Sequence, residues 1–430
     1  MKHAVVFGLF TLLGCAAILA QTSSGQVGKK ENPVVTRQIT SSATTSPEIS
    51  VAVGKGAKWL ASVQGADGGW GQDGGAASYV RQNERLESQG NDVANTAVAA
   101  LALLRAGDQY RPNVERAVDF ILKKVETSPN DGLSITDVNQ TQIQRKLGPF
   151  IDTFLASMLL ARVDGTLARA NNARVRKGLE KCVAKIERNQ MSDGSWNIAG
   201  GWAPVLGTSL ASQGLFLASK KGVPVSGEVM ARADNYTVES QKGGGSVAGV
   251  AGGSVSGVGG GVGGGVGAGS APGRGDVRAA HETADAAIGS IGGAGKFGSI
   301  GGAGKSGALS AAAGVDLYQS AQALEQLSRT PESRAKNKDE IAAINAKLSD
   351  ARFVEGYGSI GGEEFFSYLN ISDSLKRTGG KEWGDWHSKI TQKILKLQNN
   401  DGTWAGHHCI TGRVAVTSAA ILNLISDREN

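Results

Sequence analysis

Residues 398–404 read QNNDGTW, and the same frame occurs twice more, as QGADGGW at 64–70 and QMSDGSW at 190–196. Each copy is Gln, two free positions, Asp-Gly, one free position and Trp, and each follows a stretch with amphipathic helical spacing. Asp-Gly favours a tight turn, because glycine accepts a positive φ. A glutamine at a helix end can bond the carbonyls that the helix leaves open. A tryptophan brings a large flat surface to lay over helix ends. Three copies of one helix-ending turn predict a helical repeat.

The chain around these turns alternates two kinds of helix. In EWGDWHSKITQKILKLQ (382–398), Trp383, Trp386, Ile390, Ile394 and Leu397 share one face, while Lys389, Lys393 and Lys396 face away. NARVRKGLEKCVAKIERNQ (172–190) does the same with Val175, Leu179, Cys182 and Ile186, which makes Cys182 a core thiol. The second kind, VANTAVAALALLRAG (93–107), DTFLASMLLARV (152–163), GTSLASQGLFLAS (207–219) and RVAVTSAAILNLI (413–425), has no polar stripe wide enough for water and is expected to be buried all round. The kinds pair as 51–64 with 91–106, 112–125 with 150–163, 172–189 with 206–219, 225–240 with 308–328, 335–350 with 363–376, and 382–398 with 412–426. Half-exposed helices alternating with buried ones imply an outer ring around an inner one. The expected fold is all-α: an (α/α)6 toroid, a double-layer helical barrel, over residues 51–430.

These turns resemble the QW repeats of the prenyltransferase and squalene–hopene cyclase superfamily. The likeness covers 51–240 and 308–427. It implies the toroid and a central cavity, and leaves the chemistry open, since that fold carries terpene cyclases, prenyltransferases and thioester domains alike. The cyclase acid Asp-x-Asp-Asp, the magnesium-diphosphate motif Asp-Asp-x-x-Asp and the thioester string Gly-Cys-Gly-Glu-Gln are all absent from the sequence.

Residues 1–20, MKHAVVFGLFTLLGCAAILA, form a charged start and an apolar run, the pattern of a signal peptide. Cleavage after Ala20 and lipidation of Cys15 in the lipobox-like LLGC compete, so the mature chain is expected to be exported: periplasmic, secreted or an outer-membrane lipoprotein anchored through Cys15. Residues 21–50, rich in Ser and Thr, read as a tether. Of 62 glycines in 430 residues, many crowd into 243–307, which predicts a disordered low-complexity insert within the fourth pair. GGAGKS in that tract lacks phosphate-loop spacing, and RGD at 274–276 reads as chance composition. A net charge of +6 with no basic tract interleaved with aromatics gives no nucleic-acid role.

In such a toroid the inner-helix starts ring one end of the cavity. That rim is where catalytic or binding residues are expected: Asp92, Asp152, Trp202, Tyr357, Glu363, Glu364, His407, His408 and Cys409. Asp92 and Asp152 also suit the first turn of a helix, where a carboxylate meets free N–H groups. Glu363 and Glu364 point about 100° apart on a helix and make a poor acid/base couple. Trp202 and Tyr357 would bind ligand by lining or plugging the cavity. In GHHCITGR (406–413), His407 and Cys409 would face one way in an extended turn and share a metal, zinc by analogy with the protein prenyltransferases, with Asp152 or Glu363 completing the set. The family's ligand spacing is not reproduced. A packed turn, or acid/base work by His407 or His408, remain the other readings. Cys182 and Cys409 belong to different pairs and are expected not to bond, leaving Cys409 as a reactive free thiol. Two functions follow: an exported toroid binding an apolar, isoprenoid-like or extended ligand or a partner protein, or an enzyme with its site at the rim, acting on a terpenoid or a glycan.

Overall fold

A computed structural model describes residues 46–74, 90–167, 169–198, 204–242, 305–355, 361–407 and 409–428. The signal peptide with Cys15, the tether up to residue 45, the insert as far as 304, and Trp202, Tyr357 and His408 lie outside the described residues. Thr45–Asn430 forms one compact body. Among the described residues no strand is present beyond isolated bridges, Trp70 to Asp92 and Gly71 to Gly74. None of their helices is long and apolar enough to cross a membrane.

The inner helices are α2 (Val93–Ala106), α5 (Ile151–Val163), α7 (Pro204–Lys220), α9 (Lys305–Leu327), α13 (Gly362–Thr378) and α15 (Arg413–Leu424). Each packs on the next, and α15 returns to α2, so the ring closes. The outer helices α1 (Pro47–Ser62), α3 (Arg111–Thr127), α6 (Arg169–Arg188), α8 (Gly227–Lys242) and α14 (Gly380–Lys396) each lie against two inner neighbours. The all-α toroid therefore follows the alternation of half-exposed and buried helices. Val175, Leu179, Cys182 and Ile186 of α6 are fully buried, as their spacing requires.

Two elements depart from expectation. The outer segment of the fifth pair is three short helices, α10 (Pro331–Lys336), α11 (Lys338–Lys347) and α12 (Ala351–Glu355), instead of one. Asn337 makes the break by turning its side-chain amide back onto the Ser333 carbonyl, 2.9 Å, a local bond that competes with helix continuation. The short α4 (Gln142–Leu147) was not foreseen. Thr141 starts it with a reciprocal capping box to Gln144, and Gly148 at φ +117° ends it.

The three QW turns are superposable in their bonding. Trp70, Trp196 and Trp404 are buried, and each Nε1–H donates to a carbonyl ten residues back: Leu60 at 2.9 Å, Ile186 at 2.7 Å and Ile394 at 2.8 Å. Each Trp backbone N–H donates to a threonine hydroxyl of the paired inner helix, Thr96, Thr208 or Thr417. The Asp side chain accepts from the N–H two residues on, as at Asp193 to Ser195, 2.9 Å. Gly68, Gly194 and Gly402 sit at φ +91°, +90° and +87°.

The glutamines do something other than cap their own helices. Gln64 Nε2 donates to Gly68 O and to Asn113 O of α3; Gln190 Nε2 to Gly194 O and Val229 O of α8; Gln398 Nε2 to Gly402 O and Ala52 O of α1. Each amide thus ties its turn to the next outer helix. The third joins the last outer helix to the first, across 346 positions of sequence. A long, flexible amide reaches where a helix-end carbonyl already served by the Trp indole does not need it.

Candidate functional site

The rim at the inner-helix starts is built from hydrogen-bonded carboxylates. Asp92 is the N-cap of α2, and its Oδ1 accepts from Asn95 N at 2.8 Å. Asp152 occupies the first turn of α5 but does not cap it. Its Oδ1 accepts from Ala94 N of α2 at 3.0 Å, and its Oδ2 from Gln144 Nε2 at 2.6 Å. Two carboxylates therefore meet at one helix start. Burial lifts the Asp92 carboxyl well above the ordinary range, with the Asp152 charge adding to it. Burial lifts Asp152 too, against the pull of Gln144 and backbone N–H groups.

Across the ring, Glu364 Oε2 accepts from Gly361 N at 2.8 Å, and Tyr318 donates its hydroxyl to Oε1. Glu363 Oε2 accepts from Ile410 N at 3.0 Å. Both carboxylates are buried. The short α4 reaches over to the 405–412 loop: Gln142 Nε2 donates to Thr411 Oγ1 at 3.0 Å, and Gln142 Oε1 accepts from Thr411 N at 2.9 Å. Only about 10 Å³ of space remains between Gln142, Ile143, Ile410 and Gly412. Asp152 and Glu363, expected as catalytic groups or further metal ligands, thus hold backbone together at this end.

The pairing of His407 with Cys409 is corrected by the backbone. The chain is not extended there, because Cys409 has φ +53°. Cys409 is buried at 3 % exposure while His407 is exposed, so the two side chains do not converge. The Cys409 thiol is pushed far up, first by burial and then by the Glu363 carboxylate. Burial thus argues against the expected reactive thiol: Cys409 is free, like Cys182, and shielded from solvent. Among the described residues no three His, Cys, Asp or Glu side chains gather as a metal-ion group.

The space lies deeper, inside the ring. A cavity of about 380 Å³ runs among the inner helices, a size typical of sites for small organic ligands. Half-buried apolar side chains line it, among them Leu101 and Leu104 of α2, Met158 of α5 and Leu369 of α13. These side chains pack against the core on one side and line the open space on the other. Toward the inner-helix C-termini the lining turns polar, with Arg105, Arg162, Asp373 and Arg428. Arg105 NH2 donates to Ile425 O at 3.1 Å. Burial lowers the Arg105 pKa, opposed by Asp373; burial raises that of Asp373, opposed by Arg105. Of the expected site residues, Asp152, Glu363, His407 and Cys409 do not line this cavity.

Sequence reading missed the arginines, although a signal existed. Arg105 is the lone charge in VANTAVAALALLRAG and Arg162 the lone cation in DTFLASMLLARV, each in the last turn of a largely apolar helix. A cation there also suits the helix dipole, so the pattern alone did not single them out.

Comparison with known proteins agrees with this architecture. Residues 37–142 match the family model of the squalene-hopene cyclase C-terminal domain. A squalene–hopene cyclase of Bradyrhizobium diazoefficiens is 43% identical over 68 residues, 16% of this chain and 10% of that protein. A probable squalene–hopene cyclase of Sinorhizobium fredii is 40% identical over 73 residues, 17% of this chain and 11% of that protein. The match spans about a tenth of the length of these relatives. Three QW turns of one geometry, a closed double ring of helices and this local likeness support the prenyltransferase and squalene–hopene cyclase-like repeat superfamily.

Proposed function

We propose that the chain is a binding protein that takes an apolar or extended small molecule into the centre of its helical ring. The observation that carries this reading is the cavity of about 380 Å³ lined by leucines that are only half-buried. Unfilled apolar surface loses dispersion contacts and gains from burial against a ligand. Catalysis at the inner-helix rim is the weaker reading, because Asp152, Glu363 and Glu364 are engaged by backbone and neighbouring side chains. The cyclase and prenyl-diphosphate strings are also missing from the sequence.

The test is displacement of a neutral fluorescent apolar probe, with Leu369→Trp as the cavity-filling variant. Binding by the parent chain and its loss in a variant that still melts cooperatively is the expected result. A probe bound equally by both proteins refutes the cavity as the site. We further propose export, on the charged start and apolar run of residues 1–20. Mass spectrometry of the mature N-terminus decides it: a chain beginning at Gln21, or a lipidated Cys15, agrees, and a retained Met1 in the cytoplasm refutes it.

A further inference from the structure

The cavity is polarised along its length, and the polar end holds more cation than anion. Arg105, Arg162 and Arg428 face a single lining carboxylate, Asp373. Asp427 is the other anion in electrostatic reach of Arg105. Among the described residues, these three guanidinium groups outnumber the carboxylates near them. Arg377 also acts on Asp373, and the Glu325 carboxylate 3.6 Å from it is already paired with Arg329 at 2.6 Å, so cations remain in excess. Among the described residues no ion pair or hydrogen bond joins Asp373 to any of the three lining arginines, and Arg162 makes none at all. These charges act on one another through space, without a bonded contact. The opposite end of the same cavity is hydrocarbon: Val98, Leu147, Leu155 and Leu210.

We propose that the cavity takes a single-chain amphiphile with one anionic head, its tail among the leucines and its head group on Arg162 and Arg428. This rests on the cavity being the binding site. A carboxylate or phosphate monoester head supplies the acceptors that two guanidinium forks lack, in the bidentate geometry that strengthens such contacts. An excess of positive charge at the polar end suits an anionic head. The alternative role of the arginines is to offset the negative ends of the inner helices. That dipole effect falls off within the last turn, whereas a guanidinium–carboxylate contact acts at hydrogen-bond distance on the ligand itself.

The experiment titrates the lipid-free full chain with four competitors against a neutral probe, N-phenyl-naphthylamine: hexadecanoic acid, hexadecyl phosphate, hexadecanol and hexadecylamine. At least one anionic competitor should displace the probe at roughly tenfold lower concentration than hexadecanol, the worth of a charge-assisted hydrogen bond. Arg162→Gln should bring the anions back to the level of hexadecanol and leave hexadecanol unchanged, and Arg162→Lys should restore part of the preference. Tighter binding of the acid points to a free fatty acid as source, and tighter binding of the phosphate to a phosphate ester. Equal binding of anions and hexadecanol, or tightest binding of the amine, overturns the anionic head while the apolar cavity stands. The same holds if Arg162→Gln lowers the melting temperature but leaves the preference intact, since the arginine then only serves the helix end. If neither probe nor competitor binds, the cavity reading itself falls.

Discussion

Gly194→Ala tests whether the QW turn is a fastener between neighbouring repeats or only a local turn. Gly194 has φ +90°, and a Cβ there would lie 2.3 Å from the carbonyl oxygen of Arg232 in α8. Gly222 is the control: its φ is +75°, but a Cβ there meets nothing within 4 Å. Both substitutions force alanine into the left-handed region, at about 1–2 kcal/mol. Only Gly194→Ala also pushes the next outer helix away, which adds about 1–3 kcal/mol as overpacking does. The backbone of Arg232 is held in a helix, and Gln190 clamps the same turn to Val229 O at 2.8 Å, so relaxation is limited. Gly194→Ala should therefore destabilise by about 2–5 kcal/mol and Gly222→Ala by about 1–2 kcal/mol. Urea unfolding followed by both tryptophan fluorescence and circular dichroism measures it, with coincident transitions required before midpoints are compared. Gly68→Ala, 2.5 Å from Arg116 O, should behave like Gly194→Ala. Equal midpoints for Gly194→Ala and Gly222→Ala would falsify the fastener.

Trp70→Ala, Trp196→Ala and Trp404→Ala should each cost about 3–5 kcal/mol in the same unfolding assay, the loss expected for a large buried aromatic; a cost below about 1 kcal/mol at any of them contradicts the shared geometry. The buried Asp92 and Asp152 carboxyls have raised pKa values in the folded chain. The folded state thus holds protons that the unfolded state has released. The stability this contributes is whole below the ordinary carboxylate range and is lost as pH rises through the raised values toward neutrality. Asp92→Asn keeps the cap and should flatten the urea midpoint between pH 4 and 7; an unchanged slope refutes the linkage. Burial pushes the Cys182 thiol up to about 12 and raises Cys409 as well, so neither should alkylate in the native protein and both should in urea. Rapid native labelling of Cys409 would show that the loop around it opens.

The helices, their pairing and the turns are legible in the amino-acid order. Periodicity and turn chemistry act over a few residues: Val175, Leu179, Cys182 and Ile186 share a face because of the helix pitch, and Asp193-Gly194 turns because glycine accepts φ +90°. Chain order then leaves a closed double ring as the way to cover the six inner helices. Partners that depend on distant positions emerge only when the ring closes. Gln398 reads locally as a cap, yet its second bond goes to Ala52, which ring closure brings beside it. Asp152 reads as the start of its own helix and instead accepts from α2, because adjacent inner helices begin at one level. His407 and Cys409 look adjacent on paper, but a left-handed residue turns one inward and leaves the other exposed. Arg105, Arg162 and Arg428 stand far apart in sequence and reach one cavity because parallel inner helices end on the same side of the ring. No local pattern carries that convergence, since it is a property of the closed circle and not of any helix in it.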